Sequence, residues 1–212
     1  MDERLNKRQI LLLACAAITA GSLIVSNIIT NKQFAIPFFG FAVTCGVLCI
    51  PLSYIVDDVL AEVFGFKAAR AVILAGFSIA AIAVVYFQAA IAIPGLESFT
   101  AQSAFETVLG ATARTTAASF TAYVVGSLLN AKIMQLMHER DGERGLFARC
   151  LLSTVAGELV DVAIFAALAF TGTLPFEIIV QIIVCNGLGK CLVEAVCFPL
   201  TKRAIKWAKT LE

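Results

Sequence analysis

The sequence predicts an all-α integral membrane protein, a bundle of six transmembrane helices with both termini in the cytoplasm. The first observation behind this prediction is composition: 60% of the 212 residues are hydrophobic and only 15% are charged, whereas about a quarter of the residues in soluble domains are charged. The second is a mean hydropathy of +0.91, too high for one soluble core of this size. The third is a series of apolar stretches, each near the roughly 20 residues that cross a bilayer.

The apolar stretches form a single predicted domain over residues 1–212, with one span following another through short polar connections. The predicted spans cover residues 9–29, 41–64, 69–93, 107–129, 147–170 and 178–200.

Local signals set the ends of these spans. We expect the first to be an uncleaved helix rather than a signal sequence, because few apolar residues separate Arg8 from Cys15. The second follows an interfacial turn, where Pro37 interrupts a run of aromatic residues suited to the headgroup layer, and it ends at Gly65. The third stops before the Pro-Gly pair that begins at Pro94, and the fourth is rich in hydroxyl side chains. A connection containing glycine and proline separates the last two.

The placement of Lys and Arg predicts the orientation. Basic residues occupy the N-terminal tail, the second and fourth connections and the C-terminal tail, which lie on one side of a six-span chain. The opposite side has Lys32 together with Glu97, Glu106 and Glu177. Because basic connections remain in the cytoplasm, we expect a multi-pass membrane protein with both termini there.

Ionisable residues also occur inside the apolar spans. A charge at membrane depth costs at least about 2 kcal/mol, so such residues normally face a polar cavity and serve a function. Both signs of charge are present, which favours a cavity for the passage of a solute. The residues are Asp57, Asp58, Glu62, Arg114, Glu158, Asp161, Lys190 and Glu194.

Helical spacing places most of these charges on polar stripes of three helices, which should face one another away from lipid. The stripes are Tyr54, Asp58 and Glu62 in the second span, Thr154, Glu158 and Asp161 in the fifth, and Asn186, Lys190 and Glu194 in the sixth. Arg114 and Tyr123 lie in the fourth span, and Asn27 lies near the outer end of the first. A purely structural role is the alternative, with Lys190 paired to Glu194 one turn away and Arg114 paired to an acid of the fifth span.

The stretch PLSYIVDDVLAEVFG, residues 51–65, resembles the D-x-x-x-E-x-[YF]-G signature of the queuosine precursor transporters, also called the vitamin uptake transporter family. Asp58, Glu62, Phe64 and Gly65 occupy the signature positions. Further matches fall in the expected order along nearly the whole chain. They are Ser26-Asn27, Ala113-Arg114, Ser119-Phe120, Ala122-Tyr123, Gly126, Ser153-Thr154, Gly157, Asp161, Lys190 and Pro199.

This resemblance implies a transporter that imports 7-deazaguanine bases for tRNA modification, such as 7-cyano-7-deazaguanine, 7-aminomethyl-7-deazaguanine and queuine. A guanine edge offers adjacent N–H donors that a carboxylate can accept, and an aminomethyl group adds a cation that favours an acid. The expected substrate-binding residues are Asn27, Asp58, Glu62, Arg114, Tyr123, Glu158, Asp161, Asn186, Lys190 and Glu194. We expect no catalytic residue, no metal and no cofactor.

Two other classes of function stay open. The substrate-binding subunit of an energy-coupling-factor transporter has six helices and docks through small residues of its first span, for which Ala16 with Ala20, or Ala17 with Gly21, would serve. A membrane-embedded enzyme is the other, although the single histidine, His138, lies in a charged connection and completes no nucleophile–base pair. The expected partners are a small-molecule base and the lipid bilayer. The net charge of +1 gives no reason to expect nucleic acid, and homo-oligomerisation stays open.

Overall fold

The computed structural model describes residues 5–37, 40–141 and 146–211, and over these ranges the chain is almost entirely helical. The helices are α1 (Lys7–Ile29), α2 (Ile50–Val59), α3 (Phe66–Ala92), α4 (Gln102–Gly110), α5 (Thr112–Asp141), α6 (Leu146–Phe170) and α7 (Phe176–Lys209). A short antiparallel hairpin joins α1 to the next helices, with strands β1 (Gln33–Ala35) and β2 (Ala42–Thr44).

The predicted all-α membrane class is confirmed, and three of the described helices are long and apolar enough to cross a bilayer. These are α1, α3 and α7. Helices α5 and α6 have 30 and 25 residues and pack along each other. The count of six spans and the orientation of the termini stay predictions.

The second predicted span is wrong as a continuous helix over residues 41–64. This segment contains β2, a 3₁₀ helix (Cys45–Cys49), α2 and a π-helical turn (Leu60–Phe64). Pro51 lies in the first turn of α2, where proline is favoured, and Gly65, with a φ of +84°, ends the π turn. The fourth predicted span is likewise divided, because α4 ends at Gly110 and α5 begins at Thr112.

Small residues allow the helices to approach closely. A Cβ atom added at Gly76 of α3 would lie 2.9 Å from Cδ1 of Leu23 in α1. One added at Gly126 of α5 would lie 2.9 Å from the carbonyl oxygen of Gly157 in α6. Such contacts are typical of helix packing in membranes, where no hydrophobic driving force brings helices together.

One end of the bundle is closed by contacts between α1, the π turn and α7. Arg8 donates a hydrogen bond of 2.7 Å to the carbonyl oxygen of Val63, and its guanidinium lies 5.6 Å from the centre of the Phe64 ring. Lys209 forms an ion pair of 3.3 Å with Glu62. On the predicted topology this is the cytoplasmic end.

Candidate functional site

A polar cavity of about 150 Å³ lies between α1, the hairpin, α5, α6 and α7. A cavity of about this volume can hold one small planar ring such as benzene, so it suits a small molecule rather than a large ligand. Its walls combine amides, hydroxyls and one ion pair with a few apolar side chains. The lining residues are Ser26, Asn27, Thr30, Thr44, Gly46, Val47, Ile50, Ser119, Ala122, Asp161, Val162, Phe165, Asn186 and Lys190.

A charged cluster forms one wall of the cavity. The Nζ atom of Lys190 in α7 lies 2.8 Å from Oε2 of Glu158 and 2.9 Å from Oδ2 of Asp161, both in α6. Only 19% of the Lys190 side chain is exposed. Because Glu158 and Asp161 are three residues apart, they share one face of α6 and both reach the same ammonium. This cluster ties α6 to α7 at the cavity.

Two asparagines present unpaired polar atoms among the described residues of the cavity. Asn27 is 5% exposed and its Nδ2 atom has no hydrogen-bond partner, and Asn186 is 9% exposed and its Oδ1 atom has none. Leaving such a buried group unpaired costs about 1–3 kcal/mol. The cavity thus holds one free donor and one free acceptor, together with a carboxylate, for a ligand with complementary groups.

The hairpin forms one side of the cavity. Its second strand, β2, lies in the segment that was predicted as the second membrane span. The Nδ2 atom of Asn186 donates a hydrogen bond of 3.4 Å to Oγ1 of Thr44. The side-chain oxygen of Gln181 accepts a bond of 3.3 Å from the backbone N–H of Ala42. Gly46 lies so close to α1 that an added Cβ would be 3.0 Å from Oγ1 of Thr30. The hairpin and the residues that follow it are therefore part of the site.

Five of the ten predicted binding residues come together here. Four line the cavity and the fifth, Glu158, bonds to Lys190. The structural alternative, in which Lys190 pairs with Glu194, is not what the structure shows, because the ammonium points across to α6 and Glu194 is exposed. The side chain of Thr154, placed on the same stripe, lies outside the described side chains. The four lining residues are Asn27, Asp161, Asn186 and Lys190.

Arg114 does not pair with an acid of α6, so the other ion pair of the structural alternative is not formed either. Its Nε atom donates to the carbonyl oxygen of Leu168 at 2.6 Å, and its Nη2 atom donates to that of Thr171 at 2.5 Å. The last carbonyls of a helix have no partner within the helix, and a cation there also favours the helix dipole. Arg114 therefore fixes the end of α6 to α5, away from the cavity lining.

The other predicted residues also lie outside the cavity lining. The ring of Tyr123 packs against Phe77 of α3, with centroids 5.5 Å apart. Asp58 is exposed, and Glu62 is held by Lys209 at the far end of the bundle. Asp58 and Glu62 therefore belong to the family signature but do not line this cavity.

Sequence reasoning missed Thr30, Thr44, Gly46 and Phe165 as lining residues. Thr44 and Gly46 carried no signal, because their positions were read as part of a continuous span. Phe165 lies four residues after Asp161 on the same face of α6, so helical spacing from Asp161 could have found it. It gives the cavity an aromatic side chain beside the polar groups.

A larger cleft of about 440 Å³ lies between α3 and α5, on the outside of the bundle. Its described lining is almost entirely apolar, with Phe77 and Phe120 as its aromatic members and two hydroxyls. No charged side chain is among its lining residues, so we place the candidate site in the smaller polar cavity.

Comparisons with known proteins agree on one class. Residues 44–204 match the family described as "Putative vitamin uptake transporter". The chain is 27% identical over 172 residues to a protein of Bacillus subtilis (strain 168) named "Probable queuosine precursor transporter", which covers 81% of this chain and 75% of that protein. No solved structure shows significant similarity to the chain.

Proposed function

Because this chain belongs to the vitamin uptake transporter family, and is therefore a membrane transporter rather than an enzyme, we propose that it imports 7-deazaguanine bases, the precursors of queuosine, for tRNA modification. The name of its relative in Bacillus subtilis supports this substrate class. We place the protein in the inner membrane as a multi-pass chain with both termini in the cytoplasm. We also propose that the five residues gathered at the polar cavity bind the base.

The observation that carries this proposal is the set of unsatisfied polar atoms in the cavity. A deazaguanine has a flat ring with adjacent N–H donors and a carbonyl acceptor on one edge. Asp161 can accept from such donors, since Lys190 bonds to Oδ2 and a ligand can bond to Oδ1. The free Nδ2 of Asn27 can donate to a carbonyl, and the free Oδ1 of Asn186 can accept an N–H.

The apolar part of the cavity supports the same substrate class. Phe165 and Val162 of α6 lie beside Asp161, and Ala122 of α5 lines the cavity with them. A flat ring gains from contact with an aromatic face or edge while its polar edge is hydrogen-bonded. The combination of apolar contact and a few directed polar groups is typical of small-molecule sites.

Transport by the chain alone, rather than as a subunit of an energy-coupling complex, is part of the proposal. The pair Ala16 with Ala20 is not available to a partner, because Ala20 is 6% exposed and packs near Gly76 of α3. Ala17 and Gly21 are exposed, so this second pair is accessible to a partner subunit, and the subunit alternative can be tested.

The test is rescue of queuosine in tRNA. A bacterial strain that can neither synthesise nor take up the bases would receive the gene, and queuosine in its tRNA would be measured after adding each base. We expect rescue at low external base concentration, in a strain that also lacks any energy-coupling module. Asp161→Asn, which replaces an acceptor oxygen with a donor, should reduce rescue by at least tenfold, which is about 1.4 kcal/mol of binding.

The matched control is Glu97→Gln, which removes the same kind of charge at an exposed position between α3 and α4. It should rescue as the wild type does, and both variants should be equally abundant in the membrane. Rescue by Asp161→Asn at the normal level would contradict the binding role of the cavity. Rescue only in the presence of a coupling module would favour the subunit alternative.

A further inference from the structure

The charged cluster at the cavity is not neutral. Glu158 and Asp161 bring two negative charges within hydrogen-bonding distance of the single positive charge of Lys190. The cluster therefore has a net charge of −1 in the empty protein when all three groups are ionised. Its partly buried position between α6 and α7 removes much of the water that would otherwise solvate that charge.

The neighbouring elements do not supply the missing positive charge among the described residues. Helix α2 carries Tyr54 and the acid Asp58, neither of which adds a positive charge. The next turn of α7 carries another acid, Glu194. Arg114 of α5 is held by backbone carbonyls at the end of α6. The α1 and hairpin side of the cavity contributes amides and hydroxyls.

A net charge of −1 at membrane depth favours the binding of one cation. Moving an uncompensated charge across the apolar layer is costly, because the layer cannot solvate the charge as water does. A cluster that binds one positive charge becomes neutral, and the surrounding helices can then rearrange around it without that cost. Lys190 is bonded to both acids, so an added positive charge must compete with its ammonium for the carboxylate oxygens.

We propose, on the basis of the proposed function, that the Glu158–Lys190–Asp161 cluster takes up one positive charge in each transport cycle. For a base with an aminomethyl group, this charge is the ammonium of the substrate. For the neutral 7-cyano base, it is a proton that binds a carboxylate oxygen from the outer side and leaves to the cytoplasm with the base. The same site thus carries a cation alone or a neutral base with a proton.

The experiment uses the purified protein in sealed vesicles, with labelled bases and with the membrane potential fixed by potassium and valinomycin. With the potential at zero and the outside one pH unit more acidic, the 7-cyano base should accumulate about tenfold, since one proton moves with each base. The aminomethyl base should show no accumulation under that gradient. It should accumulate about tenfold when 59 mV, negative inside, replaces the pH gradient.

Glu158→Gln tests the assignment to this cluster, because it leaves Lys190 and Asp161 as a neutral pair. Because this variant also loses a proposed binding residue, it should take up the 7-cyano base more slowly than the wild type. Its uptake should stop when the internal and external concentrations are equal, because the pH gradient should no longer concentrate the base. Glu97→Gln is the matched control and should keep the tenfold accumulation. The comparison of the two bases in the wild-type protein requires no variant, so it stands even if Glu158→Gln does not fold.

The outcomes are distinguishable. The one-charge proposal would be overturned, while the proposed function stands, by either of two results. One is uptake of the 7-cyano base whose accumulation does not depend on the pH gradient, and the other is an equal response of both bases to that gradient. Tenfold accumulation by Glu158→Gln would overturn the assignment to the cluster. Uptake of neither base, with protein-free vesicles as the baseline, would refute the proposed function and this inference together.

Discussion

The close approach of α5 to α6 behind Asp161 gives the sharpest test of the site's geometry. A Cβ atom at position 126 would lie 2.9 Å from the backbone oxygen of Gly157 and 3.0 Å from Cβ of Asp161. Relaxed carbon–oxygen contacts between helices measure about 3.3–3.6 Å. Neither neighbour is the end of a flexible side chain, so Gly126→Ala must push the two helices apart by roughly 0.4 Å or more.

Overpacking of this kind costs about 1–3 kcal/mol. For a chain of this size, each kcal/mol lowers Tm by about 2–4 °C. We therefore expect Gly126→Ala to lower the Tm of the purified protein in detergent by about 2–12 °C. Because the same shift moves Asp161 relative to Lys190, the variant should also take up the base more slowly in vesicles than the wild type does.

Gly21→Ala is the matched control, since it makes the same substitution in the middle of a helix. A Cβ atom at position 21 has no neighbour within 4 Å among the described residues. Its Tm should stay unchanged or rise slightly, because alanine favours a helix over glycine by about 0.5–1 kcal/mol. Equal Tm values and equal uptake for the two variants would refute the close approach of α5 and α6.

Three further predictions test the contacts and the topology. Arg114→Gln should lower the free energy of unfolding by about 1–3 kcal/mol through the loss of charged hydrogen bonds to carbonyls, with an unchanged KM for uptake; a raised KM would place Arg114 in the site. Lys190→Met should reduce abundance in the membrane, and adding Glu158→Gln should restore abundance without uptake. Adding Glu194→Gln instead should restore nothing, and equal restoration by both would contradict the observed pairing. A reporter fused after Glu212 should be active only in the cytoplasm, and an external signal would disprove the predicted orientation.

The sequence alone determined the membrane class, the extent of some helices and the family. Residues 147–170 were predicted as a helix and α6 spans Leu146–Phe170, because a long apolar run between polar connections is a local signal. The motif resemblance to the vitamin uptake transporters was confirmed by the match over residues 44–204. Helical spacing also placed Glu158 and Asp161 on one face of α6, since that relation depends only on the 3.6-residue turn.

Only the tertiary structure decided which charges meet. Spacing along one helix pairs Lys190 with Glu194, but the rotation of α7 against α6 turns the ammonium towards Glu158 and Asp161. In the same way, the contact between α5 and the end of α6 gives Arg114 carbonyl partners instead of acids. Sequence spacing cannot specify such rotations, because they depend on how the side chains of both helices pack.

The hairpin was beyond sequence reasoning for a related reason. Strands of three residues have no periodic signal of their own, and these two are held by pairing with each other and by contacts to α7. Those contacts bring Thr44 to Asn186, although the two residues lie far apart in the chain. The residue types that bind a base can be read locally, whereas the cavity that unites them exists only where distant segments pack together.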